Sequence, residues 1–282
     1  MEYDYNKNKP LLKWVGGKSK LLQKIIPLFP KEITNYHELF LGGGSVLLSV
    51  LTSIKEKKLK VTGKICAYDS NPILIAFYRA IRGDYKKLYE TVRKIMKAGE
   101  KNDKKEYFYY IRKIYNSRKE INLMKVAEFV YLNKTCFRGL FRLNQMGGFN
   151  VPYGHYDNPS ICDETSYKQI SELISDVEFY CLDFETGREN IDKGDFVYMD
   201  PPYIPEKKNG FVSYSKDGFS KEKHESLFKI CKEADFKFVL SNSNTDVVKD
   251  SLKNFTILEI DARRAIHSKN PGSKTKELLI YN

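Results

Sequence analysis

The 282 residues are 41% hydrophobic and 30% charged, enough for one large domain or two modest ones with an ample core. A formal net charge of +12, spread along the chain, points to nucleic acid first and an anionic membrane second, although lysine-rich chains also occur that bind nothing acidic. Five cysteines with no C-x-x-C pair argue against a disulfide framework or structural zinc, and no run approaches the roughly 18 apolar residues of a membrane span.

In chain order, Met1–Pro10 lacks the apolar stretch of a signal peptide, so an intracellular location is expected. Lys13-Trp14-Val15-Gly16-Gly17-Lys18 then holds the only tryptophan. A lone tryptophan is usually core. One set among lysines and glycines suits stacking on a flat or cationic ligand, beside a lysine for a carboxylate. Tyr36–Phe40 reads as a strand turning through Gly42-Gly43-Gly44 into a helix over Ser45–Ile54. Such glycines allow a close backbone approach to a ligand at a helix N-terminus, although a plain tight turn is the commoner meaning. The spacing is not G-x-G-x-x-G, which disfavours a dinucleotide cofactor. Strand Ile65–Tyr68 ends at Asp69, where a carboxylate can accept ribose hydroxyls or cap the helix predicted over Pro72–Ile81.

From about Gly83 to Asp163 the strand–helix alternation stops. The stretch is helical and charged, then glycine- and asparagine-rich near Gly139–Tyr156, and is expected to be an inserted helical domain. Strands resume at Val177–Leu182, Phe196–Met199 and Phe236–Leu240, with a helix over Lys221–Ala234. Phe255–Ile260 and Leu278–Tyr281 have no helix between them and are expected to form an antiparallel edge. The predicted fold is α/β, with helices on both faces of a largely parallel sheet. Cys66 and Cys181 lie in apolar strand-like runs and are expected to be buried. Asp183, at the end of its strand, could accept from an adenine amino group or merely cap the next turn.

The most informative segment is Asp200-Pro201-Pro202-Tyr203, which follows the apolar run Phe196–Met199. Two prolines end the ladder and fix φ at successive residues. They hold a carboxylate, an unclaimed carbonyl and an aromatic ring at the sheet edge where α/β folds bind ligands. Acceptors beside a stacking ring suit a planar amine, and a nucleobase is the natural candidate.

Together and in this order, these elements closely resemble the Dam-type, or α-group, adenine-N6 DNA methyltransferases that act on GATC. The resemblance covers nearly the whole chain. It rests on the Lys-Trp-x-Gly-Gly-Lys element, Phe40-Leu41-Gly42-Gly43-Gly44 and the Asp-Pro-Pro-Tyr box. Tyr131-Leu132-Asn133, Arg142-x-Asn144, Phe149-Asn150-Val151-Pro152-Tyr153-Gly154 and Phe211-Val212-Ser213-Tyr214 also match.

The resemblance implies a Rossmann-like S-adenosylmethionine-dependent methyltransferase sheet formed by residues 1–82 and 164–282, with residues 83–163 inserted as a target-recognition domain. It implies a cofactor site of Trp14, Lys18, Phe40, Gly42, Gly44, Ser45, Asp69, Asp183 and Asp200. Asp200 and the Pro201 carbonyl would accept the two N–H bonds of an adenine rotated out of the duplex, with Tyr203 stacked on the base. No metal and no covalent nucleophile are required.

For DNA reading, the resemblance assigns Lys13 to the first guanine and Arg142 to a guanine edge. Phe137 would enter the base stack, and Leu140 and Pro152 would meet a thymine methyl. Asn144 belongs to the same recognition segment. Two positions depart from the family: Arg138 replaces a frequent asparagine, and His155 replaces the usual arginine. These departures bear on the target sequence, not on catalysis. The basic loop Arg263–Lys276 is expected to touch phosphates. A monomer or weak dimer on double-stranded DNA, away from membranes, is expected. The alternatives are a related methyltransferase of RNA or protein glutamine, and an inactive DNA-binding homologue. Glutamine enzymes usually carry Asn-Pro-Pro-Tyr, and intact Trp14, Asp69, Asp200 and Tyr203 argue against an inactive protein.

Overall fold

The computed structural model describes the chain except for residues 1–3, 6, 161–162, 205–218 and 264–273. The chain begins with α1 (Leu22–Ile25), β1 (Glu32–Ile33), β2 (Tyr36–Glu38), α2 (Ser45–Lys55), β3 (Lys60–Val61) and β4 (Ile65–Tyr68). Four helices follow: α3 (Pro72–Glu100), α4 (Lys104–Ser117), α5 (Leu123–Thr135) and α6 (Glu164–Leu173). Alternation then resumes with β5 (Val177–Tyr180), α7 (Phe184–Arg188), β6 (Phe196–Met199) and α8 (Lys221–Lys232). The last elements are β7 (Lys237–Ser243), α9 (Asp246–Ser251), β8 (Thr256–Arg263) and β9 (Lys274–Tyr281).

Seven strands form one sheet in the order β5-β4-β2-β6-β7-β9-β8, and β1 pairs separately with β3. The first five of these are mutually parallel, and β9 runs antiparallel to both of its neighbours. The antiparallel pair expected from the sequence is therefore present, with β9 inserted between β7 and β8. Parallel sheets need cover on both faces, and period-two alternation supplies it. Phe196 and Tyr198 of β6 join one core cluster with α2 and α3, while Val197 and Met199 join another with α7 and α8. The first cluster continues without a break into α4, α5 and the loop around Phe149.

Helix α3 runs well past the predicted end at Ile81. It breaks geometry once, at Asp84 (φ −150°, ψ 80°). There the Lys87 amide donates to Asp84 Oδ1 at 3.0 Å, so the carboxylate caps the second half as it would a new helix. Cys66 is buried as expected. Cys181 is exposed, because β5 ends at Tyr180 and the next residue has left the sheet. Among the described residues no helix is long and apolar enough to cross a membrane.

After β2 the chain moves to β4 and β5 on one side, then returns to β6 on the other side of β2. The loops leaving the carboxyl ends of β2 and β6 therefore diverge, which creates a crevice at a topological switch point. The glycine loop and Asp200 both lie there.

Candidate active site

Asp200 follows β6 directly. Its Oδ2 lies 2.7 Å from the Lys18 ammonium, which is almost completely buried, and Oδ1 is sealed from solvent without a hydrogen-bond partner among the described residues. Two further bonds fix Lys18: its amide donates to Ser45 Oγ at 3.0 Å, and its ammonium donates to the Gly16 carbonyl at 2.7 Å. The same ammonium stands 4.8 Å from the centre of the Tyr203 ring. Burial pushes the Asp200 carboxyl above its usual range, against the downward pull of Lys18. A buried acceptor with no partner is costly unless a ligand supplies the donor.

Asp69 closes the next strand. Its Oδ2 accepts from the Gly42 amide at 2.9 Å, and its Oδ1 accepts from the Asn71 amide at 2.8 Å. The helix cap itself is Asn71, so Asp69 braces the glycine turn as well as the helix start. Gly44 has φ +72°, and any side chain there would strike the Tyr78 hydroxyl. Trp14 lies against Gly42 and Gly43, and its ring stacks on Phe141 at 5.7 Å. Phe40 stacks on Phe184 at 5.4 Å. Asp183 Oδ1 accepts from the Thr186 amide at 2.9 Å, so it caps α7. Among the described residues no cluster of three metal-ligating side chains occurs.

Two carboxylates at the crevice have no role in the sequence reading. Glu277, on β9, accepts from the Tyr203 hydroxyl at 2.9 Å. Glu38, at the end of β2, is buried and accepts from the Tyr36 hydroxyl at 2.7 Å. Asp200 follows a wholly apolar strand, whereas Glu38 ends the strand Tyr36-His37-Glu38, a weaker form of the same signal. Burial first, and the nearby Asp200 charge second, push the Glu38 carboxyl up to about 8. The fold thus keeps a proton that the unfolded chain releases near 4.5, and stability falls as pH rises from there to about 8. Glu38→Gln should therefore raise the melting temperature at pH 8 by several degrees, on the order of 3 kcal/mol, and change little at pH 5. Thermal melts at both pH values test this, and equal shifts at the two would refute it. His224 works in the opposite direction. Burial pushes it down to about 4, so it costs stability as pH falls below 6.5.

The predicted recognition residues gather on the inserted segment. Asn133, buried at the end of α5, accepts from the Lys13 amide at 2.9 Å and donates to the Lys13 carbonyl at 2.7 Å. This clasp sets Lys13 against Gly139, with its ammonium 3.9 Å from the centre of the Tyr156 ring. A short turn, Phe137–Gly139, leaves Phe137 exposed and puts the Arg138 guanidinium 5.2 Å from its ring. Arg138 has φ +55° and His155 φ +54°, an uncommon conformation for either. The Phe137 amide donates to the Pro152 carbonyl at 2.8 Å, and Leu140 packs against the core. Arg142 Nε donates to Asn150 Oδ1 at 2.7 Å across a hairpin pinned by the Leu143–Phe149 bridge. Asn144 is exposed, but its Oδ1 accepts from the Met146 and Gly148 amides at 3.0 and 2.9 Å and shapes the hairpin tip. Phe211–Tyr214 and residues 264–273 of the basic loop lie outside the described residues.

Comparison with known proteins shows the family. Residues 14–266 match the family described as D12 class N6 adenine-specific DNA methyltransferase. The chain is 38% identical to type II methyltransferase M.MjaIII of Methanocaldococcus jannaschii, over 97% of this chain and 99% of that one. It is 32% identical to type II methyltransferase M1.LlaDCHI of Lactococcus lactis, over 97% and 95% respectively. A DNA adenine methylase of Haemophilus influenzae is 29% identical over 97% of this chain and 93% of its own length. The chain belongs to the D12 class of N6 adenine-specific DNA methyltransferases, enzymes whose methyl donor is S-adenosyl-L-methionine.

Proposed function

We propose that this enzyme methylates N6 of an adenine rotated out of duplex DNA, within the sequence GATC. The observation that carries the chemistry is the buried Asp200 Oδ1, an acceptor without a partner among the described residues, beside Pro201 and Tyr203 at the switch point. The donor set also fits the cofactor. Asp69 and Asp183 offer acceptors for a diol and an amino group, Phe40 offers a ring, and Gly42, Gly44 and Ser45 form the turn between them. Trp14 lies against Gly42 and Gly43, and the Lys18 ammonium against Asp200. Bound S-adenosylmethionine supplies an electrophilic methyl group on a sulfonium centre.

The exocyclic nitrogen of adenine is a poor nucleophile because its lone pair is delocalised into the ring. Asp200 Oδ1 and the Pro201 carbonyl accept its two N–H bonds and so favour a pyramidal nitrogen. The carboxylate also opposes the positive charge that grows on that nitrogen, an effect in place before reaction. Lys18 opposes the burial that would protonate the carboxylate, and holds it in register. Tyr203 stacks on the flipped base, a contact worth roughly 1–3 kcal/mol.

We assign DNA recognition to residues 83–163 together with Lys13. Arg142 faces a guanine edge, the commonest specific contact for arginine. Phe137 fills the gap left by the flipped base, Leu140 and Pro152 meet a thymine methyl, and His155 can donate to a phosphate or a base, with the departing Arg138 beside Phe137. Transfer of labelled methyl should occur to an unmethylated GATC duplex and not to one methylated at both adenines. Absence of transfer to any DNA, with the cofactor bound, would defeat the reading. Transfer to duplexes lacking GATC would remove the sequence assignment alone.

A further inference from the structure

We infer that Glu277 is a positioning residue for Tyr203, and that β9 thereby completes the pocket for the target base. This rests on the reading of Tyr203 as the ring that stacks on the base. The segment after the two prolines is held from three directions. Ser243 Oγ donates to the Ile204 carbonyl at 2.7 Å, and the Ile204 amide approaches Asn242 Oδ1 at 3.5 Å, so the end of β7 fixes the backbone just beyond Tyr203. Glu277 lies opposite Ser243 in the antiparallel register, and its Oε2 accepts from the Tyr203 hydroxyl at 2.9 Å. The Lys18 ammonium stands near the ring, 4.8 Å from its centre.

A tyrosine ring swings about its first side-chain bond and spins about its second; the hydroxyl oxygen lies on the second axis, so anchoring it fixes the swing that sets where the ring lies. A phenylalanine at this position would keep the stacking surface and lose the anchor. The antiparallel insertion of β9 between β7 and β8 is what brings an acid from the last strand to a pocket otherwise built from the ends of parallel strands. The hydrogen bond is made to a half-buried carboxylate, a class stronger than neutral pairs.

The test is a double-mutant cycle on the full chain. Tyr203→Phe and Glu277→Ala should each lower single-turnover methyl transfer by roughly 10–100-fold, with duplex and cofactor affinity within a few-fold of wild type. The double variant should be no slower than the slower single variant, because each removes the same contact. Glu277→Gln retains an acceptor oxygen and should restore most of the rate. Additive losses would overturn the inference, as would a Glu277→Ala enzyme with wild-type rate. A Glu277→Gln enzyme as slow as the alanine variant would overturn it too, since charge and not orientation would then be the contribution. If the unaltered chain fails to methylate DNA, it is the functional reading that fails, and the cycle separates that outcome from the others.

Discussion

Asp200→Ala should lower methyl transfer by about 10³-fold or more while leaving duplex affinity within a few-fold. Removing a single preorganised group that meets transition-state charge commonly costs 10²–10³-fold. Here the loss is compounded. The alanine enzyme keeps the Lys18 ammonium, buried and now without its carboxylate, beside the place where the nitrogen becomes cationic. A negative group that attracts the developing charge is replaced by a positive one that repels it. Asp200→Asn should fall between alanine and wild type, because an amide oxygen can still accept one N–H bond. Duplex affinity should hold because it rests mostly on phosphate contacts remote from the crevice. Single-turnover assays on enzyme saturated with cofactor and duplex measure the step directly. Transfer by Asp200→Ala at even a tenth of the wild-type rate would take the residue out of the chemistry.

Much of this fold is legible in the sequence because its strands follow simple rules. Phe196–Met199 is apolar at every position, and only a parallel strand covered on both faces buries four such residues in a row. Asp200-Pro201-Pro202-Tyr203 is legible for a related reason: two prolines cannot extend a ladder, so what flanks them must face something other than a strand. The long reach of α3 is less legible. Its second half begins at a capping aspartate inside one continuous amphipathic pattern, which local composition alone does not separate from the first half.

Glu277 shows the limit more sharply. It lies 74 positions after Tyr203, in one of the two strands expected to form an antiparallel edge, and nothing local says that this strand is the inner one of the pair. Only the order β7-β9-β8 brings it to the crevice. The sequence leads one to expect Lys18 beside a ligand's carboxylate, whereas the carboxylate it meets is supplied by the chain itself. The pairing of Lys18 with Asp200 joins the Lys-Trp-x-Gly-Gly-Lys element to the Asp-Pro-Pro-Tyr box. The inserted segment divides along the same line. Phe137, Arg142 and Asn144 are all exposed, but Arg142 gives Nε and one Nη to Asn150, and Asn144 spends its carbonyl oxygen on the turn.

The Lys18–Asp200 pair leads to the second large effect, from Lys18→Met. Burial raises the Asp200 carboxyl, and the Lys18 ammonium is the strongest influence opposing that rise. With a methionine in its place the upward push stands nearly alone, and the carboxyl stays protonated to higher pH. A protonated carboxyl carries no charge to meet a growing cation. Transfer at pH 7 should therefore fall by on the order of 10²-fold or more. Unlike the Asp200→Ala defect, this one should be partly repaired by base. As pH rises the carboxyl ionises, and the acid limb of the pH–rate profile moves to higher pH than in wild type. Stability should move the other way. A carboxyl whose folded pKa is raised contributes stability at low pH that is lost as pH rises through the raised value. The methionine variant should thus become more active and less thermally stable over the same interval. A pH–rate profile parallel to wild type, with only cofactor affinity reduced, would show that Lys18 serves the cofactor and not the carboxylate. Lys18→Arg keeps the charge, but its planar fork must fit where a compact ammonium meets both Asp200 and the Gly16 carbonyl. Its acid limb should stay near the wild-type position even if its maximal rate is lower, which separates loss of charge from loss of fit.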